Sequence, residues 1–494
     1  MLYIKHLPIF SFAEPIAFVH RDCSFYKVDD IQTLTRVEIQ GGQYPLYAFL
    51  HIVEDSSLVA PDEIGLNDEA FLKLNLPEGA IVSILQAETP QSLEYILKKS
   101  EGNTLTPREY GQIITDIETG KYSNTEIASF VTAFKAFADI DDIVALTQAL
   151  SFGNRLYWDE ENIIADTHTL GYVPANPTDI IVTAIVAAYG LPILKSVILN
   201  PHSYTGPAHT MQVFANLDTN DILLKKKIKE AKGAIFNYES LNSSQAILKL
   251  KNISDSLNLK DEKMEISLIF AMKINSGISH LLIDIPVGSE ALIKTKADSL
   301  HLRKIIEQVS QTLKIDTDIV ITDGREPVGT GIGAVLEAKD IMQILRNKKN
   351  APQDLLEKSL FIAGKVLEFD PKLKSGQGYE VAKEMIVSKR ALAAFEQIIN
   401  TQGKLQSADL GNLTREVIAN SNGKIQSVSN QILSKIAKVA GLNSNAGVGI
   451  ELFKKVGDKV SKGEALYKIY ANNSADLMSA VSLAETLNGY EIGK

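Results

Sequence analysis

Cysteine is nearly absent: Cys23 is alone in 494 residues. That excludes an internal disulfide framework and any cysteine-ligated zinc module, and a lone thiol fits a reducing cytoplasm. A surplus of positive charge is missing too. Lys+Arg number 50 against 60 Asp+Glu, a net charge of −10. The basic residues are dispersed, and their densest run is Lys225-Lys226-Lys227. It reads as a solvated helix face, so no nucleic-acid partner is expected. Long apolar runs are lacking as well. None reaches the ~18 residues of a membrane helix, and the longest candidate, Ile180–Leu199, is broken by Gly190-Leu191-Pro192. Met1–Phe12 carries one Lys and no small-residue cleavage site, so no signal peptide is expected. What remains is ordinary globular composition, 45 % hydrophobic and 22 % charged, which excludes wholesale disorder.

The pattern along the chain predicts an α/β multidomain protein. Residues 1–90 read as a small β-rich N-terminal domain, with short branched and aromatic runs at Ala17–His20, Thr35–Ile39 and Leu46–Val53. Residues 91–160 read as a helical domain, to which about 240–278 return. Thr106-Pro107-Arg108-Glu109 and Ser123-Asn124-Thr125-Glu126 have the form of capping boxes. Residues 161–239 and 279–399 alternate strands with helices, as a large α/β domain with a mixed central sheet does. Strand candidates are Ile163–Ala165, His280–Ile285 and Asp318–Thr322. Residues 400–494, with many glycines, read as a C-terminal α+β domain.

Three loops could carry chemistry. Ala165–Asn176 leads from a strand through a Gly- and Thr-bearing turn into a helix near Thr178. Such a junction gathers free backbone N–H groups and the positive end of a helix dipole, which suits an anion. An ordinary βα turn is the plain alternative. Lys195–Met211 is a polar Gly/Pro loop with His202 and His209. Together with His168 these could form a three-histidine metal site, although loop histidines are commonly polar surface, and no metal is assigned. Asp323–Gly333 has glycines at 329, 331 and 333, which lack the dinucleotide spacing, so a tight structural loop is expected.

In this order, the three segments resemble those of the nucleoside phosphorylases of the thymidine phosphorylase family, and of its AMP phosphorylase branch in particular. Gly120–Ile127 is similar to the family's helical domain, Asp284-Ile285-Pro286-Val287-Gly288 and Gly329–Ala338 to its sheet domain, and Gly457–Val460 with Gly463–Leu466 to its C-terminal domain. The resemblance covers essentially the whole chain. It implies a cytoplasmic homodimeric pentosyltransferase that cleaves a nucleoside or nucleoside monophosphate with inorganic phosphate as co-substrate and no cofactor. It also implies a site. His168 is the catalytic candidate. Thr167, Thr169, Gly171, Thr178 and Ser196 are the phosphate-binding candidates. Tyr172, His202, Ser203, His209, Gln245, Leu268, Met272 and Lys273 are the substrate-binding candidates.

The chain departs from the family pattern at the chemistry. Thr167 and Thr169 stand where the family loop has Lys and Ser, and Tyr172 replaces a Gly. The next loop has no Arg. The acid offered to the leaving base is replaced around Ser244-Gln245-Ala246. Leu268 and Met272 occupy the Ser and first Lys positions of the base-binding helix. Hence the alternative expectation is a phosphorylase fold that is catalytically degenerate or repurposed.

Overall fold

The computed structural model describes residues 1–11, 14–26, 36–153, 155–158, 163–171, 173–199, 206–241, 244–259, 261–406 and 408–493. Strict alternation shapes its first domain. In Leu46–Val53, side chains 46, 48 and 50 are buried and their neighbours are not, the period of a strand with one face in a core. Six strands, β1 (Leu2–His6), β2 (Ile16–His20), β3 (Arg36–Gln40), β4 (Leu46–Val53), β5 (Glu63–Leu66) and β6 (Ile81–Gln86), close into a barrel in the order β1-β5-β2-β4-β3-β6. Closure leaves no edge strand. The short helix α1 (Asp68–Leu74) begins on Asn67, whose side chain accepts the Ala70 N–H.

Four helices follow: α2 (Leu93–Ser100), α3 (Pro107–Glu118), α4 (Asn124–Phe137) and α5 (Ile140–Ser151). Both expected capping boxes are present, at Thr106/Glu109 and Ser123/Glu126. A buried Lys99–Asp142 pair at 2.6 Å, with Tyr110 donating to the same carboxylate at 2.7 Å, ties α2, α3 and α5 together. Met1–Leu150 and Ser244–Met264 make one compact unit; Ser151–Ser243 and Glu265–Lys494 make the other.

The second unit is built on β7 (Ala165–Thr169), α6 (Thr178–Tyr189), β8 (Ile193–Val197), α7 (Pro207–Gln212), α8 (Asp221–Ala231) and β9 (Gly233–Asn237). Helix α9 (Gln245–Ser256) belongs to the first unit, and α10 (Glu262–Asn275) leads back to β10 (His280–Val287), α11 (Lys296–Leu313) and β11 (Asp316–Asp323). The sheet order is β11-β10-β7-β8-β9, and every pairing is parallel. The expected mixed sheet is thus corrected to a parallel one, because each strand is reached through a helical crossover. Strand β7 starts at Ala165, later than the Ile163–Ala165 run suggested. Its polar sequence Asp-Thr-His-Thr hides a strand whose polar groups are satisfied inside. Helix α6 is buried along Thr178–Ala187 and packs on α13 (Gln353–Leu367) and α15 (Arg390–Gln402). In α8, Lys226 is exposed but Lys227 is only 7 % exposed, so the lysine run is only partly a solvated face.

The Gly-rich segment gives β12 (Gly331–Ile332) and runs into α12 (Ala334–Leu345). Asp340 accepts from the N–H groups of Thr330 and Gly331 at 2.7 and 2.8 Å, and Asp354 from that of Gly329 at 3.0 Å. This is the structural loop that the sequence suggested. After α14 (Gly378–Val387) the chain ends in two small sheets, β12-β15-β17-β13 and β16-β14-β18. Their strands are β13 (Leu413–Ile418), β14 (Gly423–Val428), β15 (Gly449–Leu452), β16 (Lys459–Val460), β17 (Ala465–Ala471) and β18 (Tyr490–Gly493), joined by α16 (Asn430–Val439) and α17 (Ser474–Thr486).

Candidate active site

Strand β7 leaves the middle of the sheet between β8, reached next in the chain, and β10, reached later. Strand order reverses there, and in open parallel sheets ligands bind outside the carboxyl ends at such a point. The turn after β7 runs through Gly171 at φ +76° and Ala175 at φ +55°. A Cβ on Gly171 would come 2.7 Å from Leu292 Cβ, so glycine is required by both conformation and space. Helix α6 then starts with no side-chain cap. The Ile180 N–H donates to the Pro177 carbonyl at 3.2 Å, and the positive end of the helix dipole faces the turn.

Beneath the turn lie three buried ion pairs. Lys195 Nζ is 2.6 Å from Asp179 Oδ2, Lys273 Nζ 2.6 Å from Asp166 Oδ2, and Lys358 Nζ 2.8 Å from Asp284 Oδ2. Lys195 also donates to the Thr167 carbonyl at 2.6 Å, and Lys273 to Ser196 Oγ at 2.8 Å. Burial would raise the Asp179 carboxyl, but the Lys195 charge, the hydrogen bonds from Lys195 and Thr167, and His168 hold it down at about 2. Burial dominates at Asp166 and Lys273, pushing the carboxyl up and the ammonium down despite their pairing. Each buried lysine is matched by a buried aspartate, so these pairs leave no surplus positive charge.

Most of the expected phosphate donors are gathered here, and each has an internal acceptor. Thr167 Oγ1 donates to Asp179 at 2.7 Å, Thr169 Oγ1 faces Asp284 at 3.5 Å, and Thr178 Oγ1 meets Asn176 at 2.5 Å. Ser196 N–H and Oγ face Asp166 at 3.4 and 3.5 Å. The Gly171 N–H donates to Glu265 Oε1 at 3.0 Å. His168 follows Thr167 on β7, half-buried. Leu268 and Met272 are buried one turn apart on α10, one and two turns beyond Glu265, and Lys273 next to them is wholly buried in its ion pair. His209 is buried on α7, where its neighbour Thr210 donates to Glu337 of α12 at 2.6 Å. Gln245 belongs to the first unit, its N–H held by Glu118 at 2.8 Å. Tyr172, His202 and Ser203 lie outside the described residues. Among the described residues no three His, Cys, Asp or Glu side chains are grouped to hold a metal, and no helix is long and apolar enough to cross a membrane.

Sequence reasoning assigned no role to Lys195, Asp179, Glu265 or Lys358. A signal for Lys195 was available: a lone cation inside Ile193-Leu194-Lys195-Ser196-Val197, every residue of which is buried, must have a partner. Asp179 has the place of an ordinary first-turn acid.

The helical domain and the carboxyl-terminal sheets each match a family of known proteins. Residues 93–151 match the family model "Glycosyl transferase family, helical bundle domain", and residues 427–491 match "Pyrimidine nucleoside phosphorylase C-terminal domain". A protein of Methylococcus capsulatus named "Putative thymidine phosphorylase" is 36 % identical over 495 residues, covering 100 % of this chain and 96 % of its own. A protein of Rhodopseudomonas palustris (strain BisA53) with the same name is 36 % identical over 493 residues, covering 99 % and 96 %. The anthranilate phosphoribosyltransferase of Thermus thermophilus shares the fold with a TM-score of 0.51 at 14 % identity, over 62 % of this chain and 98 % of that one. The chain belongs to the thymidine phosphorylase family.

Proposed function

We propose that the chain cleaves the glycosidic bond of a nucleoside or nucleoside monophosphate with inorganic phosphate. A phosphate oxygen bonds to C1′ of the pentose as the C1′–N bond breaks. The bonding pair goes to the base, which takes up a proton, and the products are the free base and a pentose 1-phosphate. The observation that carries this reading is the uncapped start of α6 at the strand-order reversal, with Thr169, Gly171 and Thr178 around it. His168 is the proton-handling candidate, and the apolar Leu268–Met272 face is the candidate wall for the base. We further propose a homodimer in the cytoplasm, on the strength of the family resemblance.

A second reading, a phosphorylase fold with reduced or altered chemistry, is favoured by the matched charges and by the internal acceptors of all five expected donors. One assay separates the two. Thymidine, inosine, adenosine and AMP are incubated with phosphate and the full chain, and pentose 1-phosphate is measured. Release from any of them supports phosphorolysis. Silence from all four, with nucleotide binding intact, supports the second reading.

Glu265 is expected to compete with phosphate, because its carboxylate sits on the turn's own N–H group. Glu265→Gln keeps an acceptor and removes the charge. It should tighten inorganic phosphate binding by about tenfold, roughly 1.4 kcal/mol, in a calorimetric titration. An unchanged affinity would show that the carboxylate does not face the anion.

A further inference from the structure

Helix α16 holds two loops that stand beside the candidate site. Its N-cap is Ser429, whose side chain accepts the Ile432 N–H at 3.1 Å. The Ser429 hydroxyl donates in turn to Glu290 Oε1 at 2.7 Å, and the Gln431 N–H donates to Glu290 Oε2 at 2.9 Å. Both carboxylate oxygens are thus engaged at the first turn of the helix, where a negative charge also meets the positive end of the dipole. The amide of Asn430, 5 % exposed, donates to the Gly324 carbonyl at 3.1 Å. Glu290 lies in the loop after β10 and Gly324 in the loop after β11. Because β7, β10 and β11 are parallel, both loops leave the sheet at the same end as the β7–α6 turn.

The loop after β10 is short and braced. The Gly288 N–H donates to the Ile293 carbonyl at 3.1 Å, and the Ala291 N–H to the Gly288 carbonyl at 3.1 Å. A Cβ on Gly288 would stand 2.5 Å from the Gly324 carbonyl oxygen, so the two loops rest on each other. Two residues beyond Glu290, Leu292 packs on Gly171. A Cβ on Gly171 would meet Leu292 Cβ at 2.7 Å and its backbone N at 3.7 Å. The contact is therefore with the stem and main chain of Leu292. It moves with the loop, and no side-chain rotation can restore it once the loop shifts.

We propose that Glu290 is a positioning residue for the β7–α6 turn: by fastening the loop after β10 to α16 it keeps Leu292 against Gly171, so that the carboxyl-terminal segment sets the shape of the turn. The consequence for catalysis rests on the phosphorolysis reading above; the mechanical link does not. A released loop lets Gly171 shift, and the N–H groups of the turn lose the geometry that an oxyanion needs.

The test is hydrogen exchange on the full chain, together with calorimetric titration of inorganic phosphate. Glu290→Ala should speed exchange of the Leu170 and Gly171 amides about tenfold, the usual scale for losing a charge-assisted hydrogen bond. The β8 amides, Ile193–Val197, should keep their protection, and phosphate should bind about tenfold more weakly. Glu290→Gln keeps an acceptor for one of the two donors and should restore most of the protection. Leu292→Gly deletes the contact itself. It should loosen the same two turn amides and leave those of Gln431 and Ile432 unchanged, so it stays informative if Glu290→Ala loosens the whole of α16. With a substrate that is turned over, the KM for phosphate should rise by a larger factor than kcat falls. Unchanged exchange at Leu170 and Gly171 in either variant, or equal quickening in β8, would overturn the proposal. A parent chain that turns over no substrate would sink phosphorolysis alone, because the exchange result stands without it.

Discussion

Lys195→Met should destabilise the second unit by about 3–5 kcal/mol, the usual penalty for leaving one member of a buried ion pair alone. Lys195 is 3 % exposed, and its ammonium is the cation that holds Asp179 in its ionised form at about 2. Without it, burial would drive the Asp179 carboxyl upward until the proton binds. The deficit should therefore be smallest in acid and grow as pH rises through the new titration. The unmodified chain behaves oppositely. A carboxyl held below its unfolded value contributes stability above that value and loses it only as pH falls toward about 2. The double variant Lys195→Met/Asp179→Leu should recover much of the loss, since removing both charges leaves nothing uncompensated. Denaturant midpoints at pH 5 and pH 8 measure all three effects. A single variant as stable as the parent at pH 8 would show that the pair is not what holds β8 to α6.

Glu337→Gln should stabilise the protein at alkaline pH. This side chain is 2 % exposed, and its carboxyl is raised to about 7 by burial, with a contribution from Asp340, against hydrogen bonds from Thr210 and the Gly333 N–H. The folded chain thus holds a proton that the unfolded chain releases near 4.5. Stability from this group is full below 4.5 and falls as pH rises through about 7. The difference corresponds to about 3 kcal/mol. Glutamine can still accept from Thr210 and has no charge to bury. The variant should match the parent near pH 5, exceed it at pH 8, and show a flatter pH profile between. Equal profiles would mean that Glu337 is solvated or already ionised in the fold.

The scaffold was legible where local chemistry is self-contained. Thr106 and Ser123 announced their helices because a capping box is complete within four residues. The His280–Ile285 and Asp318–Thr322 runs announced strands because most of their side chains are apolar and need no partner to explain them. Strand β7 was misplaced because Thr167, His168 and Thr169 are stabilised by groups remote in the chain, such as Asp179 and Asp284. The candidate site was legible as a place and not as a charge balance. The turn, Gly171 and the start of α6 follow from their own sequence. That Lys273 closes on Asp166 depends on two elements 107 positions apart, which no periodicity reports. Glu265 is similar: on α10 it reads as a helix-favouring acid, and only the folded chain brings it to Gly171.

The two-residue strand β12 pairs with β15, Gly331 opposite Glu451 and Ile332 opposite Ile450. During synthesis, β12 leaves the ribosome long before its partner exists. The loop that Asp340 organises must therefore wait, unpaired on one side, until the carboxyl-terminal sheet emerges. A ribosome stalled ahead of Gly449 would expose that edge to other nascent chains. A stretch made later thus acts as the clasp for a segment translated much earlier.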